Sequence, residues 1–133
     1  MANAIYPEYK DAIMGGGANT DLLAGNVKVM LVDTGTYTYD AADVFESDIT
    51  GIVGETANLG TKTLTGGVFD AADTTATAVS GATVEALIVY IDTGTPTTSR
   101  VVCYIDTGVT GLPVTPNGGD INIAWNVSGI FAM

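Results

Sequence analysis

Two apolar runs joined by a polar segment constrain this chain more than any other feature. Residues 82–91 are apolar at Val84, Ala86, Leu87, Ile88, Val89, Tyr90 and Ile91, and residues 100–105 at Val101, Val102, Cys103, Tyr104 and Ile105. Between them lies Asp92-Thr93-Gly94-Thr95-Pro96-Thr97-Thr98-Ser99, rich in turn-forming residues. Both alternate sets of each run are apolar. The runs therefore predict a hairpin of two central strands buried on both faces.

The rest of the chain reads as shorter strands around that hairpin. Val27–Val32 is a strand ending in Asp33-Thr34-Gly35. Residues 40–48 read as a loop or one helical turn with Asp40 as its cap. Leu59–Thr65 alternates weakly and predicts an edge strand. Gly66-Gly67 turns into Val68-Phe69, and residues 76–79 form a further short strand. Ile121, Ile123 and Trp125 alternate with Asn122 and Ala124 after the tight turn Asn117-Gly118-Gly119-Asp120. Ile130-Phe131-Ala132-Met133 predicts a last strand or a docking tail. Near the start, Pro7–Met14 predicts a short helix, with Pro7 at its first position, Glu8 near the positive end of the dipole, and Gly15-Gly16-Gly17 to stop it. Tyr6, Tyr9 and Ile13 fall on one face. Eight residues do not hold a helix alone, so that face docks on its own sheet or on a neighbouring subunit. Seven or eight strands with turns between them predict an all-β fold with minor α. The architecture expected is an antiparallel β-sandwich, jelly-roll or Ig-like, plus the N-terminal helix; a partly open barrel is the alternative. Residues 1–26 form a helix and arm, and residues 27–133 a single sandwich domain.

Composition narrows the function. Thr alone accounts for 20 of 133 residues, and charged residues for 14%, against about 25% in a typical soluble domain. A surface so poor in ions favours burial against partners. Four basic residues against fifteen acidic ones give a net charge of −11, which repels a phosphate backbone, so no nucleic-acid partner is expected. No apolar run is long enough to span a membrane as a helix. The first residues lack a basic start and apolar stretch, so the chain is expected to be made and kept inside a cell. Without His there is no Ser-His-Asp or Cys-His nucleophile and no imidazole metal ligand. The lone Cys103 lies in an apolar run and reads as an inert buried thiol.

The remaining motifs each have a structural explanation. Asp-Thr-Gly occurs three times, beginning at Asp33, Asp92 and Asp106. It resembles the catalytic turn of aspartic proteases, where two carboxylates share a proton. Three copies, followed by Thr36, Thr95 and Val109, fit strand-ending turns instead. Asp40 with Asp43, and Asp70 with Asp73, offer oxygens to a cation without the spacing of an EF-hand loop. Gly15–Gly17 lack the Lys-Ser/Thr of a phosphate loop. Asn126-Val127-Ser128 is a glycosylation pattern with no secretory signal. Trp125 reads as core, and Glu55 and Glu85 show no glycosidase spacing. No enzyme activity, metal or cofactor is expected.

Longer segments resemble a family. Ala2-Asn3-Ala4-Ile5-Tyr6 to Lys10-Asp11-Ala12, Val27-Lys28-Val29 to Thr34, and Gly67-Val68-Phe69-Asp70-Ala71-Ala72-Asp73 are similar to segments of small virion structural proteins of tailed bacteriophages. So are Val79-Ser80-Gly81 through Tyr90, Asp92-Thr93-Gly94-Thr95, Gly111 through Ile121, and the closing Ile130–Met133. The resemblance covers nearly the whole chain, in turns and strands without catalytic signatures. It departs from the family pattern at Gly15–Gly17 and at Val127-Ser128-Gly129. It implies a place in the virion, made in the host cytoplasm and carried on the capsid surface as a decoration (cement) protein. The partner it implies is the major capsid protein, and homo-oligomers, trimers at local threefold positions among them, suit such a role. A neck, tail or fibre-attachment component is the alternative. A phage enzyme such as an aspartic protease is the alternative of another class. The contact residues expected are Ile5, Tyr6, Tyr9 and Ile13 in the N-terminal segment and Ile130 and Phe131 in the tail, because termini of low intrinsic stability order on a partner.

Overall fold

A computed structural model describes residues 3–133; Met1 and Ala2, the latter the start of the family resemblance, lie outside the described residues. The fold is all-β with one short helix and antiparallel pairing throughout. Its centre is the expected hairpin, β7 (Ala86–Asp92) with β8 (Arg100–Ile105). Beside β7 lies β2 (Asn26–Val32), then β3 (Ile52–Glu55), and beside β8 lies β1 (Ala4–Ile5), giving the order β1-β8-β7-β2-β3.

Register shows why both alternate sets are apolar. Val89 pairs with Val29 on one side and Cys103 on the other, while Leu87 pairs with Leu31 and Ile105. These share one face of the pleat, and Met30, Ile88 and Tyr104 share the other. All nine are buried. Each face has its own cover. On the Tyr104 face lies the loop after β2, whose Tyr37 and Tyr39 rings sit 6.3 and 5.5 Å from Tyr104. On the Leu31 face lies the segment that contains Val79: a Cβ at Gly54, opposite Leu31, would touch Val79 at 3.4 Å. Helix α1 (Pro7–Met14) packs against β8.

The smaller sheets are built from very short strands. One has the order β10-β5-β4, from Phe131–Ala132, Val68–Asp70 and Thr63–Thr65. The other pairs β6 (Thr74–Ala76) with β9 (Ile121–Ile123). Among the described residues there are thus ten strands in three sheets. Against the sequence reading, β1 and β3 are additional, and β6 ends at Ala76, where the expected strand over residues 76–79 begins. The expected turn in residues 40–48 is a short 3-10 helix, Glu46–Asp48. Asp40 does not cap it; its Oδ1 accepts from the Ala42 N–H at 2.9 Å, closing an earlier turn. Trp125 joins the core, its indole N–H donating to the Ala72 carbonyl at 3.2 Å.

Candidate interaction surface

The tail returns to the middle of the molecule because of two glycines. Asn126 starts a turn: its side-chain oxygen accepts from the Ser128 N–H at 2.9 Å and its carbonyl from the Gly129 N–H at 3.0 Å. Gly129 has φ +109°, and a Cβ there would collide with Val68. Gly67, with φ +81°, admits the Met133 carbonyl within 2.7 Å of where a Cβ would sit. The tail then pairs with β5, Phe131 opposite Phe69 and Ala132 opposite Val68, with the two phenyl rings 5.5 Å apart. Backbone bonds from Ile130 to Phe69 (2.8 Å) and from Met133 to Gly67 (2.9 Å) complete the seam.

Two hollows flank this seam. One, of about 420 Å³, is bordered by Ile5, Lys10, Tyr104, Ile130 and Phe131. The other, an apolar groove of about 300 Å³, runs between α1 and the β4–β5 hairpin and is bordered by Ile13, Leu22, Leu64, Phe69, Phe131 and Met133. Phe131 borders both. Four of the six expected contact residues therefore meet along β10: Ile5, Ile130 and Phe131 half-buried, Ile13 exposed.

Tyr6 and Tyr9 are corrected. Both are fully buried in the chain's own core and offer nothing to a partner. The Tyr6 N–H donates to the Val102 carbonyl at 3.0 Å, and its hydroxyl meets that of Tyr37 at 2.7 Å. The Tyr9 hydroxyl donates to the Thr20 carbonyl at 2.8 Å. Burial pushes the Tyr9 phenol up to about 12 and that of Tyr6 further still. The helix face thus docks on its own sheet, leaving only Ile13 at the rim. Sequence reasoning missed Leu64, Met14 and Met133, all exposed. The signal for Leu64 was present: a large apolar side chain between two threonines of an expected edge strand.

Most of the polar candidates are occupied locally. Asp33 accepts from the Gly35 N–H at 2.9 Å and the Thr36 hydroxyl at 3.1 Å. Asp92 accepts from the Gly94 N–H at 2.9 Å and pairs with Lys28 at 2.8 Å, which holds its carboxyl below the usual range. At the third triplet, the Asn3 side-chain oxygen accepts from the Asp106 and Thr107 N–H groups at 2.7 and 3.1 Å. Asp106 borders one hollow and Asp33 another. In the aspartate pairs, Asp43 accepts from the Tyr37 hydroxyl at 2.6 Å and Asp73 from the Trp125 N–H at 3.0 Å. Glu85 borders a depression of about 470 Å³ with Tyr39, Tyr104 and Asp106. One of its oxygens accepts from Thr34 at 2.9 Å, and the other is buried without a hydrogen-bond partner. Among the described residues no group of three or more His, Cys, Asp or Glu side chains is placed to hold a metal ion.

Comparison with family models finds no match, and comparison with curated proteins finds none either.

Proposed function

We propose that this chain is a structural protein of tailed-phage particles, a capsid decoration protein that binds the assembled head shell through major capsid subunits. The observation that carries this reading is the seam along β10. There, half-buried apolar side chains from both ends of the chain meet on one surface of a molecule with a charge of −11. Adhesion is the work such a surface does. A ligand that binds only the assembled shell stabilises that state by its binding free energy, and many copies multiply a modest contact. The hollow with Ile5, Ile130 and the exposed Lys10 is the side offered to the shell. The acidic remainder keeps free copies apart and suits an outer surface better than one facing packaged DNA.

Purified protein mixed with expanded, undecorated phage shells tests this. The expected result is saturable binding of hundreds of copies per shell, a raised shell melting temperature, and loss of both in Ile5→Asp and Ile130→Asp variants that remain folded. Binding limited to a few sites at one vertex replaces the reading with a neck or tail role. No association with shells, together with absence from mature particles, overturns it.

A further inference from the structure

The turn Asn117-Gly118-Gly119-Asp120 holds a reactive pair that adhesion does not use. Of the seven asparagines in the chain, Asn117 is the one followed by glycine. Asparagine is chemically labile because the next backbone nitrogen can attack its side-chain amide. A side chain on the attacking residue hinders that approach, and glycine has none. All four turn residues are exposed, and nothing stands within 4 Å of where a Cβ on Gly118 would sit. The reacting atoms therefore lie open to solvent.

Two hydrogen bonds act on those atoms in opposite senses. The Gly119 N–H donates to Asn117 Oδ1 at 2.9 Å, on the oxygen that gathers charge as the amide is attacked. The Gly118 N–H, on the nitrogen that attacks, donates to the Val79 carbonyl at 2.8 Å. To react, Gly118 has to leave that acceptor, so this second bond is a restraint. It is reinforced on both sides. The Val79 N–H donates to the Gly119 carbonyl at 2.9 Å, and the Ala78 N–H donates to Asp120 Oδ1 at 3.1 Å. Val79 is itself buried, in reach of the Gly54 position on β3. The turn is thus fastened to a residue of the core.

We propose that Asn117 is a site of spontaneous covalent modification, a turn that forms aspartate and isoaspartate and that its bonds to residues 78 and 79 hold in check. Hydroxide takes the Gly118 proton, the Gly118 nitrogen bonds to Asn117 Cγ, and the bond from Cγ to Nδ2 breaks to release ammonia. Water then opens the cyclic imide at either carbonyl. In sum, an amide and water become a carboxylate and an ammonium ion, with nothing oxidised or reduced. Opening at the backbone carbonyl leaves the main chain one carbon longer just before Gly118, where the bonds to Val79 no longer fit. The rate follows the fraction of molecules in which the turn is open.

The full chain, incubated at mildly alkaline pH in heavy-oxygen water and mapped residue by residue by mass spectrometry, provides the test. Asn117 is expected to exchange its amide for a labelled carboxylate faster than the other six asparagines. In guanidinium chloride that unfolds the chain, its rate should rise about tenfold or more, because the bonds to Val79 are gone. Asp120→Ala removes the acceptor of the Ala78 N–H and should speed the reaction severalfold in native buffer, with far-UV circular dichroism unchanged. Asn117→Gln should abolish the fast exchange. An Asn117 no faster than its fellows in denaturant overturns the site. Equal rates in the native and unfolded chain, or a folded Asp120→Ala variant that reacts no faster than the parent, overturn the restraint.

Discussion

Tyr37 links two covers of the central sheet through a single hydroxyl. It donates to Asp43 at 2.6 Å, so the 2.7 Å contact with Tyr6 is a bond donated by the Tyr6 hydroxyl. Burial raises both phenols, and loss of solvent raises the Asp43 carboxyl even though the Tyr37 bond favours its charged form. Tyr37→Phe removes the shared oxygen and leaves the buried Tyr6 hydroxyl unpaired. A loss of about 1–3 kcal/mol in urea unfolding is expected. Tyr39→Phe keeps the ring packing and should change stability by less than about 0.5 kcal/mol. The ion pair between Lys28 and Asp92 makes a second residue-level prediction. The bond to Lys28 and the Gly94 N–H lower the Asp92 carboxyl, and the same bond raises the Lys28 ammonium. The Asp92 contribution is present above its ordinary value of 3.8 and is lost as pH falls below it. The Lys28 contribution is present below its ordinary value of 10.5 and is lost as pH rises through the raised one. Asp92→Asn should lower stability at neutral pH and flatten both flanks of a plot of unfolding midpoint against pH. Unchanged flanks would mean that the pair is too solvated to matter.

At the scale of elements, the strands differ sharply in what they bury. Leu87 on β7 is fully buried between β2 and β8, whereas Leu64 on β4 is half exposed at an edge. Leu87→Ala should cost roughly 2–5 kcal/mol, because lost burial and an unfilled cavity add. Leu64→Ala should cost less than about 1 kcal/mol. The same contrast explains what was legible in the sequence. The β7–β8 hairpin could be read from its residues because two-sided burial leaves a continuous apolar run. Helix α1 could be read from Pro7, Glu8 and the three glycines. β6 and β3 were not readable in place. Three or four residues carry too little periodicity, and the partner of Thr74–Ala76 is Ile121–Ile123, nearly fifty residues away. The candidate surface was half legible. Ile5, Ile13, Ile130 and Phe131 stood out as terminal apolar residues, and the structure brings them to one seam. Tyr6 and Tyr9 stood out equally, yet an aromatic near a terminus reads the same whether it faces a partner or its own core. Here the Tyr37 hydroxyl and the Thr20 carbonyl, both remote in pattern from the helix, decide for the core.

For the molecule as a whole, charge and core pull in opposite directions. Fifteen carboxylates share a small surface with four cations, and one salt bridge is formed among the described residues. Self-repulsion should therefore destabilise the fold at low ionic strength, and the melting temperature should rise with sodium chloride. A fall would show that attractive pairs outweigh repulsion. Against this stands the two-sided central sheet, and at its heart Cys103, the chain's only sulfhydryl, whose thiol burial raises far above its ordinary value. Sealed there, the sulfur cannot meet a bulky aromatic disulfide reagent until the strands around it part. The time course of colour release from such a reagent would then clock the opening of the whole sheet, with no dye or engineered label added.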